Sequence, residues 1–353
     1  MSRPQQLVIA GVGVATAVAG VLNYSHATGV ARFVVAAIAL AGLAWIVSFA
    51  TEQVGEHFGP AITGFLQSTL GNLPEFFIVM FALQKGEIVV ALNSILGSLF
   101  SNALLVLGLV IVVGARAAPG GLMKFRARLP NDTATLLLIA SFIITLTGLS
   151  LASKDLASPH VKGISSIAAV ALLLVYAVWA VGYLRGDQPS PEKEAAASAR
   201  PVLPLWVSIG LLGLAGVGAA FVSDWFVGAV DPAVKSLGIS KAFAGLVIVA
   251  IAGNAVENVV GIVLARKGQN DLAISVVKNS VAQIAAFLFP ALILVSLLFT
   301  TSLTFALAPV YIGAVFLTAI AVWQITGDGE AQGFEGWALI AMYVVLGTFA
   351  WFE

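Results

Sequence analysis

Residues 71–108, GNLPEFFIVMFALQKGEIVVALNSILGSLFSNALLVLG, recur without a gap from residue 253 as GNAVENVVGIVLARKGQNDLAISVVKNSVAQIAAFLFP, every position shifted by 182. Gly71, Asn72, Glu75, Lys85, Gly86, Ala91, Ser98 and Ala103 each meet an identical residue. Matches of Ala and Ser carry little weight in so biased a composition, whereas the matched Asn, Glu and Lys carry a good deal. A chain with this internal repeat is expected to build its two halves on one plan.

The solvent follows from composition. The chain has 353 residues, 60% of them hydrophobic and 10% charged, with a mean hydropathy of +1.03, well outside the range of soluble domains of this length. A membrane span needs about 20 mostly apolar residues. That criterion predicts eleven helices, near 6–23, 30–51, 60–83, 87–113, 133–152, 163–184, 203–226, 240–265, 270–299, 303–325 and 332–351. The expected fold is an all-α integral membrane protein with about eleven transmembrane helices. Its expected parts are a lone first helix in 1–29, a first five-helix repeat in 30–184, a linker over 185–202 and a second five-helix repeat in 203–353. The N-terminal run carries one Arg and reads as a retained span rather than a signal peptide. Because an odd number of spans separates the two copies, the repeats are expected to have opposite topology. Inverted repeats with polar, Gly-interrupted segments at matching depths are a signature of secondary transporters with a site near the bilayer midplane.

Other features narrow the class. With no Cys there is no disulfide, thiol nucleophile or thiolate metal site. A formal net charge of zero gives no field that would recruit nucleic acid. Lys and Arg outside the predicted spans number ten on the side of the N-terminus and six on the other. The positive-inside rule therefore predicts a cytoplasmic N-terminus, and the expected location is a plasma membrane of prokaryotic type.

The repeated segment also carries the chemistry. Asn72 and Glu75 are three apart and share a helix face, as do Asn254 and Glu257. Each pair offers a carboxylate and an amide oxygen, the ligands a hard cation prefers; calcium takes six to eight such oxygens. Pro74, lacking an N–H, is expected to open the helix at the carbonyl of Leu70. With Val256 in the corresponding place, the second repeat is expected to be less distorted. Ser98, Ser101, Asn102, Ser280 and Gln283 are candidates to complete the shell. The bland alternative is that a buried Glu, Asn or Ser only holds helices together; two carboxylates in matching motifs argue against it.

The pair GNLPE and GNAVE, each followed by its polar second helix, resembles the two alpha-repeats of calcium/proton antiporters in the cation/calcium exchanger superfamily. The resemblance covers both repeats and the span count. It implies exchange of calcium for protons by alternating access, with Glu75 and Glu257 as the metal- and proton-carrying pair, calcium as a transported substrate and no cofactor. Sodium-coupled branches have a Thr-Ser pair where this chain has Asn72 and Asn254, so the resemblance implies coupling to protons. Lys278 and Asn279 depart from the first repeat, which has Leu96 and Gly97 there. Lys278 is expected to meet a carboxylate or reach an edge of the membrane.

A second acidic set lies ahead of each repeat motif. Glu52, Glu56 and His57 fall at the end of the second predicted helix, and Asp224 and Asp231 at the end of the seventh. Their candidate role is to gather cations at the mouths of the path, with His57 adjusting this near neutral pH; their bland role is a solvated helix end. His26 and His160 receive no role. A cation-selective channel and an exchanger of another divalent cation, such as manganese, remain alternatives. An intramembrane aspartyl protease would need paired Asp residues, and no Ser-His or metal-His constellation suggests another enzyme. The expected partners are calcium ions, protons and membrane lipid, with homo-oligomerisation possible.

Overall fold

A computed structural model describes residues 1–25, 28–58, 66, 70–185 and 201–353, with backbone alone at 128–130, 183–185, 256 and 257. His26 and most of the predicted linker lie outside the described residues. The elements are α1 (Arg3–Tyr24), α2 (Gly29–Glu56), α3 (Leu73–Gln84), α4 (Ile88–Ala117), β1 (Leu122–Lys124), α5 (Arg128–Ser153), α6 (Val161–Arg185) and α7 (Leu205–Leu237). They are followed by α8 (Lys241–Gly253), α9 (Ala255–Arg266), α10 (Asn270–Ser296), α11 (Pro309–Thr326), β2 (Glu330–Gln332) and α12 (Gly333–Phe352). The helical membrane fold expected from hydropathy is what the chain adopts, with one short pair of strands beside the helices. Among the described residues nine helices are long and apolar enough to cross a membrane, and α8 with α9 makes a tenth, bent by 56°. The count of eleven is not reached, because the third predicted span is described only as the 12-residue α3. Its first half lies mainly outside the described residues.

The repeat is visible in the backbone. α3 and α9 are both 12 residues long and are related by the sequence offset. Asn72, ahead of α3, has φ −94° and ψ 22°, and Asn254, ahead of α9, has φ −95° and ψ 21°. Both helices end on a tight turn with Gly at positive φ, 75° at Gly86 and 73° at Gly268, which only a residue without Cβ adopts readily. Single wide turns of π type interrupt the next helices at related places, Ser101–Val106 in α4 and Ile284–Leu288 in α10. Such turns release a carbonyl from the regular ladder and often mark functional sites.

Two compact units are formed, each drawing on both repeats. The first comprises Met1–Gly97, Leu184–Val256 and Phe349–Glu353, and the second Ser98–Tyr183 and Glu257–Thr348. In the first unit α2 and α7 pack along much of their length, with Phe33 stacked on Phe226 at 4.8 Å. In the second, α5 packs on α11 and α10, and Arg126 joins its backbone N–H and its guanidinium to Asp271.

Three expectations change. α7 runs to Leu237 rather than stopping near 226 and contains Pro232; Pro is tolerated inside membrane helices when neighbours take up the released backbone groups. α11 begins at Pro309, not 303. Before it, Leu303 and Phe305 are buried outside helix, their N–H groups given to Ser296 Oγ at 2.8 Å and Ser165 Oγ at 3.1 Å. Hydropathy measures burial rather than backbone state, so it merged this apolar segment with the helix. Strands β1 and β2 pair antiparallel, Met123 opposite Ala331, and are too short to give a periodic signal.

Candidate cation site

Gly-Asn stands ahead of the short helix in each repeat, and in the second it breaks the helix without a proline. Pro74 sits in the first turn of α3, where a missing N–H is harmless because that N–H has no helical partner. Phe76 N donates to Asn72 O at 3.0 Å, closing the first turn. The second repeat, without Pro, breaks at the same residue with the same Asn dihedrals. Asn254 shows how the break is held: its backbone N–H and its Nδ2 both donate to Ala250 O, at 3.1 and 2.8 Å. This local bonding competes with helix continuation, as Asn side chains commonly do.

In the first unit this places Glu75 in the opening turn of α3, 2% exposed, with Asn72 4% exposed at its N-cap and Asn254 fully buried. A helix N-terminus favours a negative charge. Glu75 lies on the other repeat's break: a Cβ built on Gly253 would stand 2.5 Å from Glu75 Oε1 and 3.0 Å from its Cδ. The side chain of Glu257 lies outside the described residues; its backbone is in the first turn of α9.

In the second unit Ser98, Ser101 and Asn102 are buried on α4, Ser280 is buried on α10 and Gln283 is half-buried. Asn102 Nδ2 donates to Ser98 O and to Ser280 Oγ, both at 3.1 Å. In each unit, then, a polar side chain of one repeat meets the motif of the other.

A family model described as sodium/calcium exchanger protein matches residues 28–184 and 207–352. The chain belongs to that family. A vacuolar calcium ion transporter of Schizosaccharomyces pombe is 33% identical over 326 residues, covering 89% of this chain and 77% of the relative. A Ca(2+)/H(+) antiporter of Synechocystis is 30% identical over 334 residues, with 89% of each chain covered. Among solved structures, native YfkE superposes with a TM-score of 0.81 at 26% identity, covering 98% of this chain and all of the other.

The acidic residues expected at the mouths of the path in this exchanger-family chain divide into two groups. Glu52 is exposed on α2. Glu56 accepts from Gln53 Nε2 at 2.9 Å, and His57 Nε2 lies 2.8 Å from Leu203 O. Asp224 and Asp231 stand within α7, not at its end, because the helix continues past them. Each is paired with a lysine: Asp224 Oδ1 with Lys85 at 2.7 Å and Asp231 Oδ1 with Lys241 at 2.6 Å. Lys278 neither meets a carboxylate nor reaches an edge among the described residues. It is 1% exposed and donates to Thr326 Oγ1 at 3.3 Å.

Other polar residues were not singled out by the motif. Gln53 Oε1 accepts the N–H groups of Val202 and Leu203, at 2.7 and 3.2 Å, fastening the chain that enters α7. Asn93 and Ser94 are buried on α4 and return their hydrogens to Val89 O and Val90 O. The repeat held a signal for Asn93, since Ser275 occupies the related position and is buried as well.

Proposed function

We propose that this protein is a secondary active transporter exchanging calcium for protons across a membrane by alternating access, with Glu75 and Glu257 carrying the exchanged ions in turn. The observation that carries the reading is Glu75 itself, a carboxylate buried at a helix break and laid on the Gly-Asn break of the other repeat. The names of the relatives from Schizosaccharomyces pombe and Synechocystis, a calcium ion transporter and a Ca(2+)/H(+) antiporter, support the same substrates.

The chemistry is competition. A carboxylate in hydrocarbon is costly unless neutralised. Two carboxylates balance one calcium or two protons, so the loaded site is neutral either way, and neutral forms cross most readily. Close carboxylates raise each other's proton affinity, and a divalent cation lowers it. Asn72, Asn254, Ser98, Ser101, Asn102, Ser280 and Gln283 supply neutral oxygens, directly or through water. The N-terminus is assigned to the cytoplasm on the Lys and Arg bias.

The deciding experiment is calcium-45 uptake into proteoliposomes under an imposed pH gradient, with and without sodium. Saturable uptake that follows the pH gradient and ignores sodium is expected. Unsaturable flux would indicate a channel, and a strict sodium requirement would overturn the proton coupling.

A further inference from the structure

The two repeats have the same turn after α3 and after α9, but among the described residues only the first is tied down by ion pairs. In the first unit Lys85, ahead of Gly86, donates to Asp224 twice, to the carboxylate Oδ1 and to the backbone oxygen, both at 2.7 Å. Gly228, one turn further along α7, leaves the room this needs, since a Cβ there would stand 3.2 Å from Lys85 Nζ. Glu87, on the far side of Gly86, accepts from Lys241 at 2.7 Å, and Lys241, at the start of α8, also holds Asp231 of α7 at 2.6 Å. Two ammonium groups thus alternate with three carboxylates across α3, α7 and α8.

The related turn in the second unit is Lys267, Gly268 and Gln269. Its backbone bonds are the same: Gln269 N donates to Leu264 O at 3.0 Å where Glu87 N donates to Ala82 O at 2.7 Å. Gln269 has no charge to offer a lysine, and among the described residues Lys267 pairs with no carboxylate. Local geometry is conserved between the repeats while the ionic contacts are not, so the contacts are not required to make the turn.

We propose that Lys85 and Lys241 are positioning residues of an ionic clamp that holds α3 and α8 to α7, and that releasing this clamp is a rate-setting step of transport with no ionic counterpart at the second repeat among the described residues. α3 carries Glu75, and α8 ends at Gly253 beside Asn254, so the clamp restrains the two helices whose ends meet at the buried carboxylate. The paired side chains are between about a fifth and a half exposed. Ion pairs so exposed are individually weak and screened by salt, which makes the clamp releasable and ionic strength its natural control. Unlike a cation-gathering mouth, the carboxylates of Asp224, Asp231 and Glu87 are occupied by the protein's own cations.

The inference rests on the exchange reading for its second half only, and two measurements separate them. Hydrogen exchange in nanodiscs reads the clamp without transport: residues 84–88 should exchange about threefold faster when potassium chloride rises from low to high concentration, while the related 266–270 should not respond. Equal responses at both turns, or none at 84–88, would overturn the clamp. In proteoliposomes the maximal calcium flux of the parent should rise about threefold with the same change of salt at constant KM. Lys85→Met with Lys241→Met should show the high flux at both salt concentrations, and Lys85→Asp with Asp224→Lys should restore the dependence. A parent flux indifferent to salt, or a double variant that keeps the parent's dependence, would overturn the rate-setting role. Absence of any proton-driven calcium flux would instead remove the exchange reading, leaving the clamp to be judged by hydrogen exchange.

Discussion

The carboxylate of Glu75 rests on the α-carbon of Gly253, so close that a single added methyl would stand 2.5 Å from Oε1. The two residues belong to different repeats, 178 positions apart, yet the carboxylate of one uses the space left by the absent side chain of the other. Real Cβ atoms do not approach oxygen so closely, so Gly253→Ala must push the Glu75 side chain aside. The expected result is a folded protein with an apparent calcium affinity about tenfold weaker, measured as the KM of uptake in proteoliposomes. An unchanged KM would mean that the position of this carboxylate does not matter to the substrate.

Glu75→Gln and Glu257→Gln should each abolish calcium/proton exchange while leaving the protein folded, because Gln reproduces the protonated acid in shape and hydrogen bonding but cannot release a proton. Glu→Asp at either position should keep slight activity with weaker affinity, the charge being retained one methylene short. Flux and size-exclusion profiles of the four variants, taken together, test this; near-parental exchange in either Gln variant would leave that glutamate a structural residue.

Asn102 and Ser280 join the two repeats within the second unit through one 3.1 Å hydrogen bond. Removing either partner from a buried pair leaves the other unsatisfied, so the single substitutions should not add. Thermal unfolding in detergent of Asn102→Ala, Ser280→Ala and the double variant should give a coupling of about 1 kcal/mol. Additive losses would show the bond to be energetically silent.

Glu52 is exposed and, unlike Asp224 and Asp231, has no lysine in the described ion pairs. A charge so placed raises local cation concentration more than it fixes geometry. Glu52→Gln should raise the KM for calcium by about two- to threefold at low ionic strength, with turnover kept and the difference fading at high salt. Complete loss of transport would make Glu52 a ligand of the transported ion.

Much of the fold was legible because membrane spans are written in local composition: α1, α2 and α4 to α7 begin within about five residues of their expected starts. The repeat was legible for another reason. Its matched Gly, Asn and Glu impose the same backbone wherever they occur, as the dihedrals of Asn72 and Asn254 record. Proline is not required for such a break, since the second repeat opens at Gly253 and Asn254 with Val256 where the first has Pro74. The seventh helix runs past its expected end near 226 because a span criterion of about 20 apolar residues marks the length needed to cross a membrane, whereas the helix itself continues to Leu237 through Pro232.

By itself the sequence determined the solvent, the helical class, the repeat and the residue types able to hold a hard cation, all of which depend on neighbours along the chain. Tertiary structure alone decided which of those residues meet. It set Glu75 on Gly253, bonded Asn102 to Ser280, and turned Asp224 and Asp231 from solvated acids into partners of Lys85 and Lys241. The physical reason is that a carboxylate's role is fixed by the cation or space nearest to it, and those neighbours come from other helices, more than a hundred residues away for Glu75 and Asp224 and ten residues along, past the end of α7, for Asp231.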